Sequence, residues 1–275
     1  MKMYLGIDVG ATHIKVATGK NGKLESKVDF PTKKFDSSLQ EIKRAVQKLA
    51  TGHKIERIGL GVPGPLEIKT NRIVRHPRLI GWQNINLTEI FSETLQTPVV
   101  VAHDASAAAL GEFIYGAGRG KNPVCYTTVS TGIGVGLVVD GKIYTGTHNP
   151  EAGQHLLGIN GIKCTCGQKA DLEVFASGAE LEKRTGKKPV DLEDSKIWAE
   201  AMEWLGIGIA NLILHYAPEI VVIGGGMTKH PQVLFPLVKA SLKKHLHALP
   251  LVPVVPSGLG QDSGLIGCIA LAEKG

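Results

Sequence analysis

Apolar positions alternate with polar ones over the first thirty residues and then switch to helical spacing, and this change of period sets the expected order of elements. The runs Met3–Asp8 and Ile14–Thr18, with a third from Leu24 after the turn signal Asn21-Gly22, predict an antiparallel meander. Ser37 or Ser38 is expected to start an amphipathic helix carrying Leu39, Ile42, Ala45, Val46 and Leu49 on one face. A strand at Ile55–Val62 should end in the turn Pro63-Gly-Pro65, with a loop or short hairpin over Glu67–Gln83 and a short helix capped by Thr88 and running to Leu95. Pro98 then opens the run Val99-Val-Val, which has the β-branched character of a buried parallel strand, and an alanine-rich helical stretch follows. Asp104 falls on the crossing between the two, where a carboxylate can cap a helix or do chemistry.

The turn-rich stretch Ala117–Pro123 reads as a connection, and beyond it the opening pattern returns. Strands are expected at Val124–Val129, Gly134–Val139 and Ile143–Tyr144, a loose echo of the first thirty residues and the mark of a duplicated fold. An irregular stretch, Gly146–Ala170, precedes a helix to about Arg184 and a long helix over roughly Ser195–Tyr216. A strand at Glu219–Ile223, a helix from about Pro231 to His247, a strand at Leu251–Val255 and an apolar helix from Asp262 to Ala272 complete the pattern.

Composition narrows the function without choosing it. A chain of 275 residues that is 43% hydrophobic favours two modest cores over one. The formal charge of +6 suits an anionic small molecule, yet basic residues are spread among acidic ones with no aromatic-interleaved run, so no nucleic-acid partner is expected. The apolar strand begins at Met3 with no basic leader, and no apolar run approaches the roughly 18 residues of a membrane span, so a soluble cytoplasmic protein without membrane contact is expected. Of the four cysteines, Cys125 and Cys268 lie in apolar segments as small core residues, and only Cys164 and Cys166 stand in polar, glycine-rich surroundings.

The candidate chemistry lies in three glycine turns. Asp8-Val-Gly-Ala-Thr12 and Ser130-Thr-Gly-Ile-Gly-Val-Gly136 occupy the first hairpin of each echoing unit. There, exposed backbone N–H groups and a threonine hydroxyl can cradle phosphate oxygens. Asp8 could hold Mg²⁺, directly or through water. Gly224-Gly-Gly226 follows a buried strand and would let a ring or phosphate approach the backbone.

These motifs resemble the ROK family of sugar kinases, within the actin-like ATPase superfamily, from Leu5 to Ala272. Gly6-Ile-Asp-Val-Gly-Ala-Thr12 and Thr131-Gly-Ile-Gly134 are similar to its two phosphate motifs, including Gly10, Gly132 and Gly134. Val222-Ile-Gly-Gly-Gly226 resembles its adenosine motif, which brings in Gly224, Gly225 and Gly226, and Asp262-Ser-Gly-Leu-Ile-Gly267 resembles its closing helix. Gly61-Val-Pro-Gly64 and Gly81-Trp82 match loops that face the sugar. The resemblance implies an α/β fold of two actin-like (ribonuclease H-like) lobes, mixed sheets with flanking helices and a cleft between them. Residues 1–116, completed by a helix over about 262–275, would form one lobe and 117–261 the other. It implies ATP and Mg²⁺ as cofactors, a sugar and a nucleotide as ligands, and a homodimer. Asp104 would be the general base, with Gly64, His103, Glu151, Gln154 and Glu173 on the sugar.

Three positions depart from the family pattern. His103 replaces the common Asn before the catalytic Asp, Gln154 replaces the histidine that touches both sugar and zinc, and Asp171 stands where a third zinc thiolate belongs. Zinc on Cys164, Cys166, Asp171 and His155 is one expectation, and a metal-free loop is the other. The expected activity is ATP-dependent phosphorylation of a hexose hydroxyl, with glucose the first guess. The alternatives are an N-acetylhexosamine or other sugar-like acceptor, or a sugar-binding protein without catalysis. A repressor of this family would need a further N-terminal DNA-binding domain, and the start of the first strand at Met3 leaves no room for one.

Overall fold

The computed structural model describes residues 3–76 and 78–274. The meander forms as β1 (Met3–Val9), β2 (His13–Lys20) and β3 (Lys23–Pro31), followed by α1 (Phe35–Leu49), β4 (Ile55–Val62), the hairpin β5 (Leu66–Glu67) and β6 (Arg72–Ile73), α2 (Leu87–Leu95), β7 (Val99–His103) and α3 (Asp104–Tyr115). The second half repeats it with β8 (Val124–Val129), β9 (Ile133–Val139) and β10 (Lys142–Ile143). These lead to α4 (Leu172–Ala176), α5 (Gly178–Thr185), α6 (Lys196–Tyr216), β11 (Ile220–Gly224), α7 (Pro231–His245), β12 (Val254–Pro256) and α8 (Ser263–Lys274).

The echo is topological as well as sequential. One five-stranded sheet has the order β3-β2-β1-β4-β7 and the other β10-β9-β8-β11-β12. In each, the first strand pairs antiparallel with its hairpin partner and parallel with the strand that follows the intervening elements. The parallel strands are buried, as their continuous β-branched runs require. Each sheet has its own core, one around Ile7, Ile42, Leu60 and Trp82 and the other around Leu137, Trp198, Leu205 and Val238.

Between these cores lies a third, alanine-rich cluster where α3 crosses α8. Small residues are obligatory there. A Cβ on Gly267 would lie 2.1 Å from the Ala107 carbonyl oxygen, and one on Gly59 would lie 1.8 Å from that of Cys268. The alanine-rich sequence of α3 is therefore a packing requirement: side chains beyond one carbon would hold the two helices apart.

Several boundaries differ from the sequence reading for local reasons. α1 begins at Phe35 because the Ser38 hydroxyl is spent on Lys33, accepting from its N–H at 2.9 Å. Starting there lets the Phe35 ring meet Trp82 edge-on at 5.0 Å. Asn86, not Thr88, caps α2 by accepting from Glu89 N. The single helix expected up to Arg184 is two, broken at Ser177, whose hydroxyl caps α5. α6 is 21 residues long and apolar enough in composition to cross a bilayer, although no uninterrupted apolar run announces it. Trp198, Met202, Leu205 and Ile209 on this helix are buried in the second core.

Candidate active site

The two sheets face each other across a cleft of about 450 Å³. The first hairpin of each sheet opens into it: Asp8, Gly10 and Thr12 line one side, Thr131, Gly132 and Gly134 the other. Gly10 closes its turn by donating to the His13 carbonyl at 2.8 Å, and Ser130 N donates across its own turn to Gly132 O at 2.9 Å. Both turns thus sit at the mouth of strands fixed by full antiparallel ladders.

Asp104 also lines the cleft, but it is not the helix cap that the sequence suggested. The cap position belongs to His103, and Asp104 is the first residue of α3. Its Oδ1 accepts from Ala105 N at 2.6 Å. Burial pushes the Asp104 carboxyl up to about 7, against the lowering effect of that backbone donor. His103 is 5% exposed, with Nε2 3.2 Å from Asp104 Oδ1 and Nδ1 3.4 Å from Ser106 Oγ. Burial lowers its pKa, so the imidazole is neutral at pH 7.

Asp8 is pushed up to about 6, first by burial and then by the charge of Asp104, with Lys15 opposing. Among the described residues no hydrogen bond or ion pair satisfies its carboxylate. A half-buried carboxylate in that state fits a divalent cation, and Asp8 could hold Mg²⁺, which supplies charge neutralisation to the phosphates when bound.

Glu151 and Glu173 line the same cleft, Glu151 within electrostatic reach of His103 and Asp104 and Glu173 against the Gly132 turn. Glu151 Oε1 accepts from Asn149 Nδ2 at 2.8 Å, and Glu173 Oε2 accepts from Ile133 N at 3.1 Å, which ties α4 to the β8–β9 hairpin. Burial raises both carboxyls. Gly64 lines the cleft beside Glu151, and a Cβ there would lie 1.9 Å from Glu151 Oε1. Gln154 lines it too, at the end of the short 3-10 helix Ala152–Gln154.

Gly225 and Gly226 reach the cleft but Gly224 does not line it. A Cβ on Gly224 would meet the Tyr126 hydroxyl at 2.4 Å, so that face is closed by Tyr126. Gly225 has φ +95° and backs onto Val129, a conformation and approach that require glycine. The Gly81-Trp82 loop, expected to face the sugar, instead buries Trp82 completely between Phe35 and Phe91. From the same segment it is Arg75, His76 and Arg78 that line the cleft. Burial and the neighbouring Arg78 hold His76 down at about 4. Sequence reasoning missed these three, together with Tyr126 and Gln261. Only Gln261 carried a signal, its place next to the recognised Asp262-Ser-Gly motif.

The residues expected to hold zinc do not complete a site. Ligand atoms of Cys164, Cys166 and Asp171 lie within 4.8 Å of one another, but His155 is not among them. The His155 Nδ1 is engaged by the Ala152 carbonyl, and its Nε2 is buried without a partner. The Asp171 carboxylate is already occupied. Oδ1 caps α4 from Val174 N at 2.8 Å, and Oδ2 accepts from the Cys166 thiol at 3.2 Å. Three donors, one of them a helix cap, do not make the closed four-ligand shell of structural zinc. Protein purified without chelators is expected to carry zinc well below one equivalent per chain by elemental analysis, and a stoichiometric amount would overturn this.

Residues 4–275 match the ROK family. The chain belongs to that family. It is 32% identical to a glucokinase of Halalkalibacterium halodurans, over 97% of this chain and 93% of the relative, and 30% identical to a putative fructokinase of Bacillus subtilis, over 99% and 96%. Among solved structures it is similar to a ROK family glucokinase from Streptomyces griseus in complex with glucose and AMPPNP. That match has a TM-score of 0.89 and 26% identity, and covers 99% of this chain and 100% of the other. The fold of this ROK protein is the actin-like one of these sugar kinases.

Proposed function

We propose that this ATP-dependent sugar kinase transfers the terminal phosphoryl group to a hexose hydroxyl, with glucose the first acceptor and Asp104 the general base. The observation that carries the reading is a carboxyl pushed up to about 7, standing in one cleft with two glycine hairpins from opposite sheets. A base poised near the working pH is ionised often enough to act and basic enough to take the proton of an attacking hydroxyl. Phosphoryl transfer otherwise asks the protein for positioning and for donors around the phosphate oxygens.

On this reading Gly10, Thr12, Thr131, Gly132 and Gly134 offer N–H and hydroxyl donors to the phosphates, and Gly225 and Gly226 lie against the nucleoside. Gly64, His103, Glu151, Gln154 and Glu173 line the acceptor end. The two glutamates suit a polyol, because an ionised carboxylate accepts several hydrogen bonds. Neutral His103 can offer a ring N–H or a lone pair where an amide is common, and Gln154 an amide where an imidazole is common. Both substitutions bear on which hydroxyls are matched.

The relatives carry the names of a glucokinase and a putative fructokinase, so the hexose is the finer question. ADP release across a panel of glucose, fructose, mannose, N-acetylglucosamine and N-acetylmannosamine tests it. Glucose is expected to give the highest kcat/KM, and selectivity against a hexose that leaves one site group unpaired should be about tenfold or more. An N-acetylhexosamine ranking first would replace the glucose assignment. Absence of turnover with every sugar would leave a binding protein without catalysis.

A further inference from the structure

The cleft accounts for Asp104 at the start of α3 but not for Glu112, two turns further along the same helix. Glu112 is fully buried and, among the described residues, has no cationic partner. Its carboxylate is held by donors alone. Oε2 accepts from Ala117 N at 2.8 Å and Gly258 N at 3.1 Å; Oε1 accepts from Leu259 N at 3.1 Å and the Ser257 hydroxyl at 2.5 Å, with Ser263 Oγ at 3.2 Å. All but one of these contacts reach the segment 257–263.

Two further ties hold its ends: Ser257 N donates to Ile223 O at 2.9 Å and the Lys27 ammonium donates to Asp262 Oδ1 at 2.8 Å, so Glu112 is what holds the middle of the segment. None of residues 257–262 is fully buried, and the half-buried Leu259 beside Gly111 of α3 is its apolar contact. Yet Gly260, Gln261, Ser263 and Gly264 line the cleft, and Gln261 Nε2 donates to Gly225 O at 3.1 Å. An apolar residue in its place would leave the N–H groups of Ala117, Gly258 and Leu259 without this acceptor, so the carboxylate and the path of the segment are matched to each other. What the carboxylate adds is a unique geometry, because five directed contacts can be satisfied in only one placement of the loop.

We infer that Glu112 is a positioning residue that fastens segment 257–264 to the helix bearing Asp104. The proposal rests on the kinase reading above and deepens it. One rigid helix sets the spacing between the base and the loop beside the glycine turn of the nucleotide end, about 12 Å along the helix axis. Glu112 does not line the cleft. It acts through Gly258, Leu259 and Ser263.

Glu112→Gln is the informative variant. Each carboxylate oxygen accepts at least one backbone N–H, and a backbone donor cannot reverse its role, so the amide NH₂ opposes a donor whichever way it turns. AMPPNP and glucose affinities, each measured by calorimetry on the purified full chain, give the readout. AMPPNP affinity is expected to fall about tenfold or more while glucose affinity stays within about twofold, and Glu112→Asp should recover part of the loss. A folded Glu112→Gln protein with unchanged AMPPNP affinity, or with both affinities falling together, would overturn the proposal. If Glu112→Gln does not fold, Ser257→Ala removes the hydroxyl contact to Glu112 together with those to Leu259 N, Gly260 O and Ser263 Oγ, while Ser257 itself does not line the cleft. A drop of about threefold in AMPPNP affinity alone is expected, and no drop overturns the proposal. Wild-type protein that bound no AMPPNP would instead refute the kinase reading itself, and the two failures are thereby distinct.

Discussion

Asp104→Asn is expected to lower kcat by about a thousandfold or more and, above pH 7, to raise the melting temperature. The amide retains the oxygen that accepts from Ala105 N, so the first turn of α3 is kept, but it has no basic electron pair for the hydroxyl proton. The stability change follows from the raised carboxyl, whose ordinary value of 3.8 becomes about 7 in the fold. Between those values the folded state holds the proton more tightly than the unfolded chain does. Wild-type stability therefore declines as pH rises through this window, and the full cost of the buried charge is present above about 7. Asn carries no such charge. The variant should melt about 2–5 °C higher than wild type at pH 8, for a difference on the order of 1–2 kcal/mol in a chain of this size, and the gap should close near pH 4. Wild-type kcat/KM should fall about tenfold per pH unit below the Asp104 value, and residual turnover of the variant should lack that limb. Loss of activity with a lowered melting temperature would mean damage to the fold, and near-normal turnover would remove Asp104 from the chemistry.

The second large effect is expected from Asp8→Asn. Among the described residues no hydrogen bond or ion pair reaches the Asp8 carboxylate, and its charge is opposed by that of Asp104 with only Lys15 to offset it. A divalent cation beside it relieves both, and an amide would bind that cation much more weakly. The variant should need a far higher Mg²⁺ concentration for half-maximal rate and lose about a hundredfold in kcat/KM at limiting Mg²⁺. Asp104→Asn should change the Mg²⁺ response of its residual activity far less than Asp8→Asn does. A wild-type Mg²⁺ response in Asp8→Asn would show that the cation is held by other groups. The Mg²⁺ concentration for half-maximal rate should also rise as pH falls through about 6, where Asp8 is protonated, in addition to the rate loss that Asp104 causes from about 7.

The strands and the two antiparallel meanders were legible because alternation and β-branched runs report burial directly, whereas the parallel partners of β4, β7, β11 and β12 came only from the structure. The repeated meander, the glycine hairpins at its tips and the carboxylate after the run Val99-Val-Val followed from local pattern, and the structure places all of them on one cleft. Helix starts were less legible. Ser38, Thr88 and Ser177 are all chemically able to cap, and which hydroxyl does so depends on whether the neighbouring backbone N–H is left free, as at Ser177, or the hydroxyl is already engaged, as with Ser38 and Lys33. Motif resemblance also misplaced two details. Trp82 follows the expected Gly81, but a large ring with apolar neighbours on α1 and α2 is pulled into the core, which leaves the cleft to Arg75, His76 and Arg78. His155 stands one residue from the expected ligand position, and its ring is engaged by the Ala152 carbonyl instead of joining Cys164, Cys166 and Asp171.

The amino-acid order by itself determined the duplicated α/β plan, the glycine turns and the placing of Asp104 at the end of a buried strand, because each rests on residues close in the chain whose burial or backbone freedom is written in local pattern. Only the tertiary structure decided the protonation states of Asp8, Asp104 and His103, the turning of Gly224 away from the cleft, the incomplete thiolate cluster, and the tie from Glu112 to a loop some 145 residues away. These depend on which distant groups exclude water from one another and which donors meet one acceptor, and neither desolvation nor the meeting of remote segments leaves a periodic trace in sequence.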